Sequence, residues 1–460
     1  MRTRKRRWLL PLFVLLLAAA LTACQAADDA EEEEEAAETT LIYAVLTEDG
    51  VDEKAVNRFN LWYRNQGIRM EVRYYLDEDG WDGKSRLLTE MASGKVPDII
   101  DLGGSSGLPY QQLVRGGYLE DLWPYIDSDP MLNNGQLWEA PLRAAEVDGG
   151  LYAVFTDVGV HTVIGRESLV GSGYSWSMED LMTAFAAMPE ESSVLEYYRT
   201  KGEMFYYIFR MSLDGFVDWE TGENSFDSEG FRTALEFVNS FPDAFPSLEF
   251  EGGWEKAQEE VGDMVRHGRQ MLSMQDIGEF QYIHALSRVF ARDDALSFIG
   301  YPVEDGSAGS IFTVQGRTLA MSSTCQNKEA AWVFFRQTLC KKVSLRTAAA
   351  VPSLVTTFPV NRASLDIVVQ AAVKPPSYAG RKSYSFFNDP DGVVVGRVPA
   401  ETINRFEEFC DHIDKIDLYD TALYDIVWDA CAPYFSGDRT LDETIEMIDN
   451  RVTLYVNEQR

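Results

Sequence analysis

The fold is decided by residues 41–100, which read LIYAVLTEDGVDEKAVNRFNLWYRNQGIRMEVRYYLDEDGWDGKSRLLTEMASGKVPDII. Residues 41–46 form a continuous apolar run, which predicts a strand buried on both faces. Apolar residues then recur at helical spacing, at Val51, Ala55, Val56, Phe59, Trp62 and Tyr63. Residues 68–76 alternate as a strand does, Leu87, Leu88 and Met91 mark a short helix that Gly94 could end, and residues 97–100 read as a third strand. This β-α-β-α-β order predicts a parallel sheet with helices on both faces.

The body that begins at residue 41 is long enough for two domains. Residues 41–460 exceed the length at which a single hydrophobic core stops growing. We therefore predict an α/β protein with two domains.

The N-terminus has the parts of a secretory signal peptide. A cationic region contains Arg2, Arg4, Lys5, Arg6 and Arg7, and an apolar stretch follows at residues 8–20. That stretch is shorter than the ~20 residues of a membrane-spanning helix. It ends in Leu21-Thr22-Ala23-Cys24. This ending resembles the lipobox of bacterial lipoproteins, which implies cleavage after Ala23 and attachment of diacylglycerol and palmitate at Cys24. The alternative is ordinary cleavage with Cys24 as a bystander.

Residues 24–40 are expected to be a lipidated cysteine followed by an acidic, disordered tether. The segment after Cys24 carries several acidic residues and neither a basic nor an aromatic one, so it cannot bury apolar area. Removal of residues 1–23 takes away five basic residues and no acidic one, which lowers the net charge from −33 to −38. This charge argues against a general affinity for nucleic acid or for an anionic membrane surface.

The cysteines and histidines show no metal or redox motif. Cys325, Cys340, Cys410 and Cys431 contain no CxxC pair, and His161, His267, His284 and His412 form no HExxH cluster. We expect no metal, no cofactor and no catalytic residue. Disulfides remain an open alternative.

Several segments in order resemble the extracellular solute-binding proteins of ABC importers, the family that includes maltose-binding protein. They are Gly94-Lys95-Val96-Pro97-Asp98-Ile99-Ile100, Gly117-Tyr118-Leu119-Glu120-Asp121-Leu122, Asp148-Gly149-Gly150-Leu151-Tyr152-Ala153-Val154, Trp176-Ser177-Met178-Glu179-Asp180-Leu181, Gln326-Asn327-Lys328-Glu329-Ala330-Ala331-Trp332-Val333-Phe334 and Phe358-Pro359-Val360-Asn361-Arg362. In the fourth, Ser177 and Asp180 would form a capping box.

The resemblance implies a two-lobed, periplasmic-binding-protein-like α/β fold with a ligand cleft between the lobes. Lobe one would comprise residues 41–153 and 268–322, and lobe two residues 154–267 and 323–460. Ligand would bind at the carboxyl ends of the strands, and closure would present a surface to the permease. We expect a monomer on the extracytoplasmic face of the cell membrane.

Six candidate ligand contacts lie at predicted strand ends. Ser105 and Ser106 follow the third strand and could hold ligand oxygens, or cap a helix. Phe155 and Asp157 follow the strand at Tyr152, although Phe155 stands where the family usually has proline. Asp157 could accept hydroxyl bonds or remain a loop carboxylate. Gln275 and Asp276 lie in what resembles the return strand, or begin a capped helix.

Aromatic rings could stack on the C–H faces of a sugar. The candidate platforms are Trp81, Tyr206, Tyr207 and Trp254, and the alternative for each is a core position. Residues 217–223 are predicted to form a hairpin turn that removes Trp219 from this set, and Trp332 is predicted to be core.

The function that the resemblance implies is capture of a polar solute for an ABC transporter, and the resemblance favours an oligosaccharide as that solute. A surface lipoprotein glycosidase is the main alternative, since a chain with 74 acidic residues cannot exclude the required pair of carboxylates. A glycan-binding surface module without a transport role is the other.

Overall fold

A computed structural model describes most of the body of the chain. The described residues are 39–46, 51–76, 83–103, 107–195, 200–209, 212–219, 221–244, 253–303, 306–340, 357–374, 382–384, 393–395, 397–418 and 421–459. The predicted signal peptide and Cys24 lie outside them. Within the described part, no helix combines the length and the apolar character needed to cross a membrane.

The first three strands confirm the predicted β-α-β-α-β unit. Strand β1 (Thr39–Val45) pairs in parallel with β2 (Ile68–Tyr74) on one side and with β3 (Ile99–Asp101) on the other. Helices α1 (Glu53–Tyr63) and α2 (Lys84–Ala92) connect them. The apolar spacing of the sequence is therefore a sufficient guide to this part of the sheet.

The remaining strands turn the sheet into a mixed one. They are β4 (Glu146–Val147), β5 (Gly150–Leu151), β6 (Val154–Arg166), β7 (Leu272–Ile277), β8 (Leu296–Ser297), β9 (Ile311–Met321), β10 (Phe358–Pro359), β11 (Lys382–Tyr384) and β12 (Val393–Val395). The main sheet has the order β10-β6-β9-β3-β1-β2, and β7 and β8 also pair with β6. Strand β9 runs antiparallel to both β3 and β6. It therefore links the parallel unit to the long strand β6.

Helices surround the sheet and build the second half of the molecule. They are α3 (Tyr110–Arg115), α4 (Trp123–Ser128), α5 (Glu139–Arg143), α6 (Glu167–Val170), α7 (Met178–Ala186), α8 (Lys201–Phe209), α9 (Glu229–Asn239), α10 (Gly253–Arg266), α11 (Phe280–Leu286), α12 (Lys328–Leu339), α13 (Arg362–Val373), α14 (Ala400–Cys410), α15 (Thr421–Phe435) and α16 (Leu441–Gln459). Ser177 and Asp180 form the predicted capping box at the start of α7. Trp332 on α12 is buried, as predicted.

The buried apolar residues fall into two separate clusters. The first core is built around Leu41, Tyr43, Ile99, Phe155, Phe312, Phe334, Phe358 and Phe406. The second core is built around Val163, Phe205, Phe209, Phe231, Leu235, Val427, Ile448 and Val452. Cys325 and Cys410 are buried free thiols in the first core and Cys431 is one in the second. Two cores in one chain are the packing expected of a two-lobed protein.

The lobe boundaries given above stay a prediction. Helix α12, which they assign to lobe two, packs against lobe-one residues. The ring centre of Phe334 lies 5.5 Å from that of Tyr43 and 6.2 Å from that of Phe59. These edge-on contacts attach α12 to strand β1 and helix α1.

Candidate ligand-binding site

The two long strands β6 and β9 lie side by side, and each contributes side chains to both cores. Because strand side chains alternate, Val158 and Val160 of β6 pack into the first core, while Val163 packs into the second. On β9, Leu319 belongs to the first core and Ile311 to the second. Ile164 also belongs to the first core, so the face of β6 that carries Val163 is the one that meets the second core.

A bulge in β9 shapes this region. Two residues of β9, Gly316 and Arg317, stand opposite Thr156 alone. Gly316 has a φ of 75°, in the left-handed region that favours glycine. A Cβ there would lie 2.5 Å from Thr156 Oγ1 and 3.1 Å from Asp157 Oδ2. The amide of Arg317 donates to Thr156 Oγ1 over 3.2 Å, so the bulge packs directly against the start of β6.

A buried polar cluster lies beside the bulge, at the end of β3. The Tyr43 hydroxyl donates to Asp101 Oδ2 over 2.7 Å and accepts from Arg317 Nη1 over 2.9 Å. Arg317 Nη1 is 3.6 Å from the same carboxylate, and the amide of Gly103 donates to Asp101 Oδ1 over 3.0 Å. Burial raises the pKa of the Asp101 carboxyl and of the Tyr43 hydroxyl. These groups satisfy one another and hold β1, β3 and β9 in place.

A second polar cluster joins β6 to β7. His161 pairs with Asp276 across the two strands, and His161 Nδ1 lies 2.6 Å from Asp276 Oδ1. His161 Nε2 lies 3.3 Å from the hydroxyl of Tyr301, whose ring stacks on the imidazole at 5.7 Å between centroids. The imidazole is buried, whereas the Asp276 carboxylate is exposed. A rigid ring thus supports a carboxylate that reaches water.

Between the two clusters, a line of polar side chains shares the face of β6 that carries His161. Asp157 pairs with Gln315, and Gly159 pairs with Thr313. The missing side chain at Gly159 leaves room for Thr313, whose Oγ1 would be 2.8 Å from a Cβ there. Asp157 is half-buried, and its Oδ1 accepts from Thr357 Oγ1 over 3.2 Å.

We name Asp157, Thr313, Gln315, His161 and Asp276 the polar row. It offers carboxylate, amide and hydroxyl groups along a strip between the two cores, which is suited to a ligand rich in hydroxyl groups. Among the residues that the structure describes, no three His, Cys, Asp or Glu side chains are grouped so that they could hold a metal ion.

The structure brings together two of the predicted contact residues and separates two others from them. Asp157 and Asp276 both belong to the polar row. Gln275 faces the other side of the sheet, where Nε2 donates to Ser273 Oγ over 2.8 Å and Oε1 accepts from the Tyr282 hydroxyl over 2.7 Å. Phe155 is fully buried in the first core, so its ring is not exposed to a ligand in this structure. Contact of any of the four with a ligand stays a prediction.

Two of the predicted aromatic platforms, Tyr206 and Trp254, lie on helices of the described part. Tyr206 on α8 is 38% exposed, and its ring packs edge-on against Tyr424 at 5.8 Å. Trp254 lies in the first turn of α10. Trp81, Ser105 and Ser106 lie outside the described residues. Their roles stay predictions.

Most residues of this region were not among the sequence candidates. They are Tyr43, Asp101, His161, Tyr301, Thr313, Gln315 and Arg317. The signal for His161 is its place in the otherwise apolar run Val158-Gly159-Val160-His161-Thr162-Val163-Ile164. A polar ring in a buried strand requires a partner, and that partner is Asp276. Arg317 follows Gly316, and a glycine within a strand is the usual mark of a bulge.

Solved structures resemble this chain, whereas no protein-family model and no curated protein matches it. The sugar-binding protein MalE from Xanthomonas citri aligns with a TM-score of 0.51 at 15% identity, over 92% of this chain and 98% of that chain. A de novo designed cysteine esterase aligns with a TM-score of 0.50 at 17% identity, over 92% and 99%. An extracellular solute-binding protein of family 1 from Alicyclobacillus acidocaldarius aligns with a TM-score of 0.48 at 16% identity, over 91% and 99%.

At these identities the likeness concerns the fold and not the ligand. The alignments run over nearly the whole body and nearly the whole of each neighbour. The neighbour from Xanthomonas citri, at a TM-score of 0.51, matches the chain in fold over nearly its whole length. The chain therefore has the predicted two-lobed, periplasmic-binding-protein-like α/β fold.

Proposed function

We propose that this protein captures a polar solute between its two lobes and delivers it to an ABC permease. The observation that carries the proposal is the polar row on β6, β7 and β9, the strands that pass between the two cores. Each of these strands contributes side chains to both cores, so a hinge movement at them can close the lobes on a ligand. Binding then shifts the protein toward the closed form by as much as the ligand prefers that form.

The chemistry of the polar row favours an oligosaccharide that is neutral or cationic. Asp157 and Asp276 can each accept hydroxyl hydrogen bonds, and charge-assisted bonds of this kind are the stronger ones. The guanidinium of Arg317 is already engaged by Tyr43 and Asp101, so an anionic solute would meet two carboxylates with little compensation. The neighbour from Xanthomonas citri is described as a sugar-binding protein, which agrees with this choice.

The mature protein is proposed to be a monomer anchored by Cys24 at the extracytoplasmic face of the membrane. The support is the ending Leu21-Thr22-Ala23-Cys24 behind a cationic and apolar leader. The acidic segment at residues 25–38 would keep the body away from the surface. Thr39 and Thr40, which the sequence assigned to the tether, belong to strand β1. Metabolic labelling with a palmitate analogue tests this point, because Cys24→Ala should abolish the label and release the protein from the membrane fraction.

The capture function is tested by a binding screen that also measures turnover. The mature protein is mixed with neutral, amino-sugar and uronate oligosaccharides, and thermal unfolding is followed while chromatography of the same samples detects cleavage. A capture protein should be stabilised by at least one neutral or cationic oligosaccharide and leave it intact. Steady release of product would show a glycosidase and defeat the proposal, as would the absence of stabilisation across a broad panel.

A further inference from the structure

Two side chains of helix α3 reach from the first core to the second. Gln112 Nε2 donates to the hydroxyl of Tyr455 over 3.0 Å. The guanidinium carbon of Arg115 lies 4.7 Å from the centre of the Trp219 ring, within the range of a cation–π contact. Because Gln112 and Arg115 are three residues apart on a helix, they lie on the same face. One face of α3 therefore makes both contacts.

The partners of these contacts belong to different cores. The opposite face of α3 is buried in the first core through Tyr110, Leu113 and Val114. Trp219 and Tyr455, by contrast, pack against the second core. Each contact therefore has one end in each half of the molecule, although the chain positions of Gln112 and Tyr455 differ by 343.

Trp219 and Tyr455 are positioned by contacts within the half that holds the second core. Trp219 lies in the predicted hairpin turn, which the structure confirms through the antiparallel bridge between Val217 and Asn224. Asn224 Nδ2 donates to Thr453 Oγ1 over 3.0 Å, which ties this hairpin to α16. The rings of Trp219 and Tyr455 meet edge-on at 6.3 Å. Tyr455 and Trp219, the partners of Gln112 and Arg115, are thus held together by contacts within their own half of the protein.

We propose that Gln112, Arg115, Trp219 and Tyr455 form an interlobe latch that favours the closed arrangement of the lobes. Both contacts bridge the two halves in the arrangement of this structure and would be lost if the lobes separated at α3. Their energy therefore adds to the arrangement that has them, which we assign as the closed one. None of the four belongs to the polar row. The latch therefore raises ligand affinity without being part of the row, a consequence that rests on the proposed function.

The size of the effect follows from the two contacts. An exposed cation–π pair and a single hydrogen bond are each worth a few-fold in an equilibrium constant, so losing both should shift the closed-to-open ratio by roughly tenfold. Ligand affinity should fall by up to the same factor, because only the closed form holds ligand from both lobes.

Small-angle X-ray scattering of the mature protein without ligand tests the latch. Gln112→Ala with Arg115→Ala should increase the radius of gyration and broaden the distance distribution. The matched control is Gln111→Ala with Arg58→Ala, which removes the same residue types from α3 and from the exposed surface of α1 and should leave the scattering unchanged. Equal scattering from wild type and the double variant would overturn the proposal.

Two single variants protect the test against misfolding and assign the contacts. Tyr455→Phe removes one hydroxyl and keeps the ring, so the second core stays packed while the bond to Gln112 is lost. Trp219→Phe keeps a weaker cation–π contact and should expand the protein less than Trp219→Ala. If both single variants and the double variant scatter as wild type does, the lobes are held by other means. Since ligand is absent throughout, failure here is distinct from failure of the capture function.

Discussion

Nδ1 of His161 lies 2.6 Å from Oδ1 of Asp276, and their side-chain exposures are 4% and 79%. A buried imidazole thus holds a carboxylate that projects into water between the two cores. The other ring nitrogen faces the Tyr301 hydroxyl at 3.3 Å. Contacts at both nitrogens define how the ring is oriented. The position of Asp276 is therefore set from inside the protein, before any ligand arrives.

Replacing the imidazole should cost stability as well as affinity. We expect His161→Ala to lower the free energy of unfolding by about 2–4 kcal/mol, because it leaves a cavity and removes a buried hydrogen-bond partner. Urea denaturation measures this, with the exposed His267→Ala as control, for which a change below about 0.5 kcal/mol is expected. Similar losses from both variants would contradict a supporting role for His161.

The energy of the contact between His161 and Asp276 can also be measured apart from the other effects of each mutation. A double-mutant cycle of His161→Gln and Asp276→Asn should give a coupling energy of about 1 kcal/mol or more, because the residues are in direct contact. Simple additivity of the two changes would show that the 2.6 Å contact contributes little to stability.

The positive charge of the Arg317 guanidinium balances the negative charge of the buried Asp101 carboxylate. We expect Arg317→Met to reduce the free energy of unfolding by about 2–3 kcal/mol, because Asp101 is left charged with only neutral partners. Adding Asp101→Asn to that variant should restore part of the loss, since the uncompensated charge is gone. Thermal and urea unfolding of the single and double variants test this, and a double variant that is less stable than Arg317→Met would contradict it.

Burial of Asp101 also predicts a pH dependence of stability. Its pKa is raised in the folded protein by desolvation, so the folded state binds more protons than the unfolded state above about pH 4. The stability linked to this group is fully present below that pH and is lost as the pH rises through the raised pKa. Asp101→Asn should therefore gain stability relative to wild type between pH 4 and pH 7.

The control for the pH prediction has the opposite sign. The pKa of Asp263 is lowered by the side-chain bond from Arg266, so its contribution is present above the ordinary carboxyl pKa and is lost as the pH falls. Asp263→Asn should lose stability relative to wild type as the pH rises from acid to neutral. Urea denaturation of both variants over the same pH range measures these differences in stability. If the two differences changed in the same direction with pH, the opposite pKa shifts of Asp101 and Asp263 would be contradicted.

The local parts of the fold could be predicted from the sequence. Strands β1 to β3 and their helices follow from apolar spacing within segments of about ten residues, and the cap at Ser177 follows from a four-residue motif. These features depend on neighbours in the chain, and the sequence displays those neighbours directly. The segments that resemble solute-binding proteins, taken in order along the chain, add the prediction that the fold has two lobes.

The candidate site was predicted only in part because it depends on register. His161 and Asp276 meet across 115 positions of the chain, and a shift of one residue between β6 and β7 would send them to opposite faces. The same alternation explains why Gln275, adjacent to Asp276, faces away from the polar row. Spacing alone does not define a register between strands so far apart.

The two neighbours Gln275 and Asp276 should therefore respond differently to mutation. Gln275→Ala removes a bond to Ser273 and one from Tyr282, both on the buried side, and should cost about 1–3 kcal/mol of stability. Affinity for the oligosaccharide found in the screen should change little. A large loss of affinity with normal stability would instead support the ligand contact that the sequence predicts for Gln275.

Asp157 should show the reverse pattern, and it is the most direct test of the polar row. Asp157→Asn keeps the size of the side chain and an oxygen for Thr357, but it removes the negative charge. Charge-assisted bonds to hydroxyls are worth about 1.5–3 kcal/mol, so affinity should fall by roughly tenfold or more while the free energy of unfolding stays within about 0.5 kcal/mol. Isothermal titration calorimetry and urea denaturation measure the two quantities, with the exposed Asp366→Asn on α13 as the matched control. Because Asp157 lies beside the bulge at Gly316, unchanged affinity would mean that ligand does not reach this end of β6.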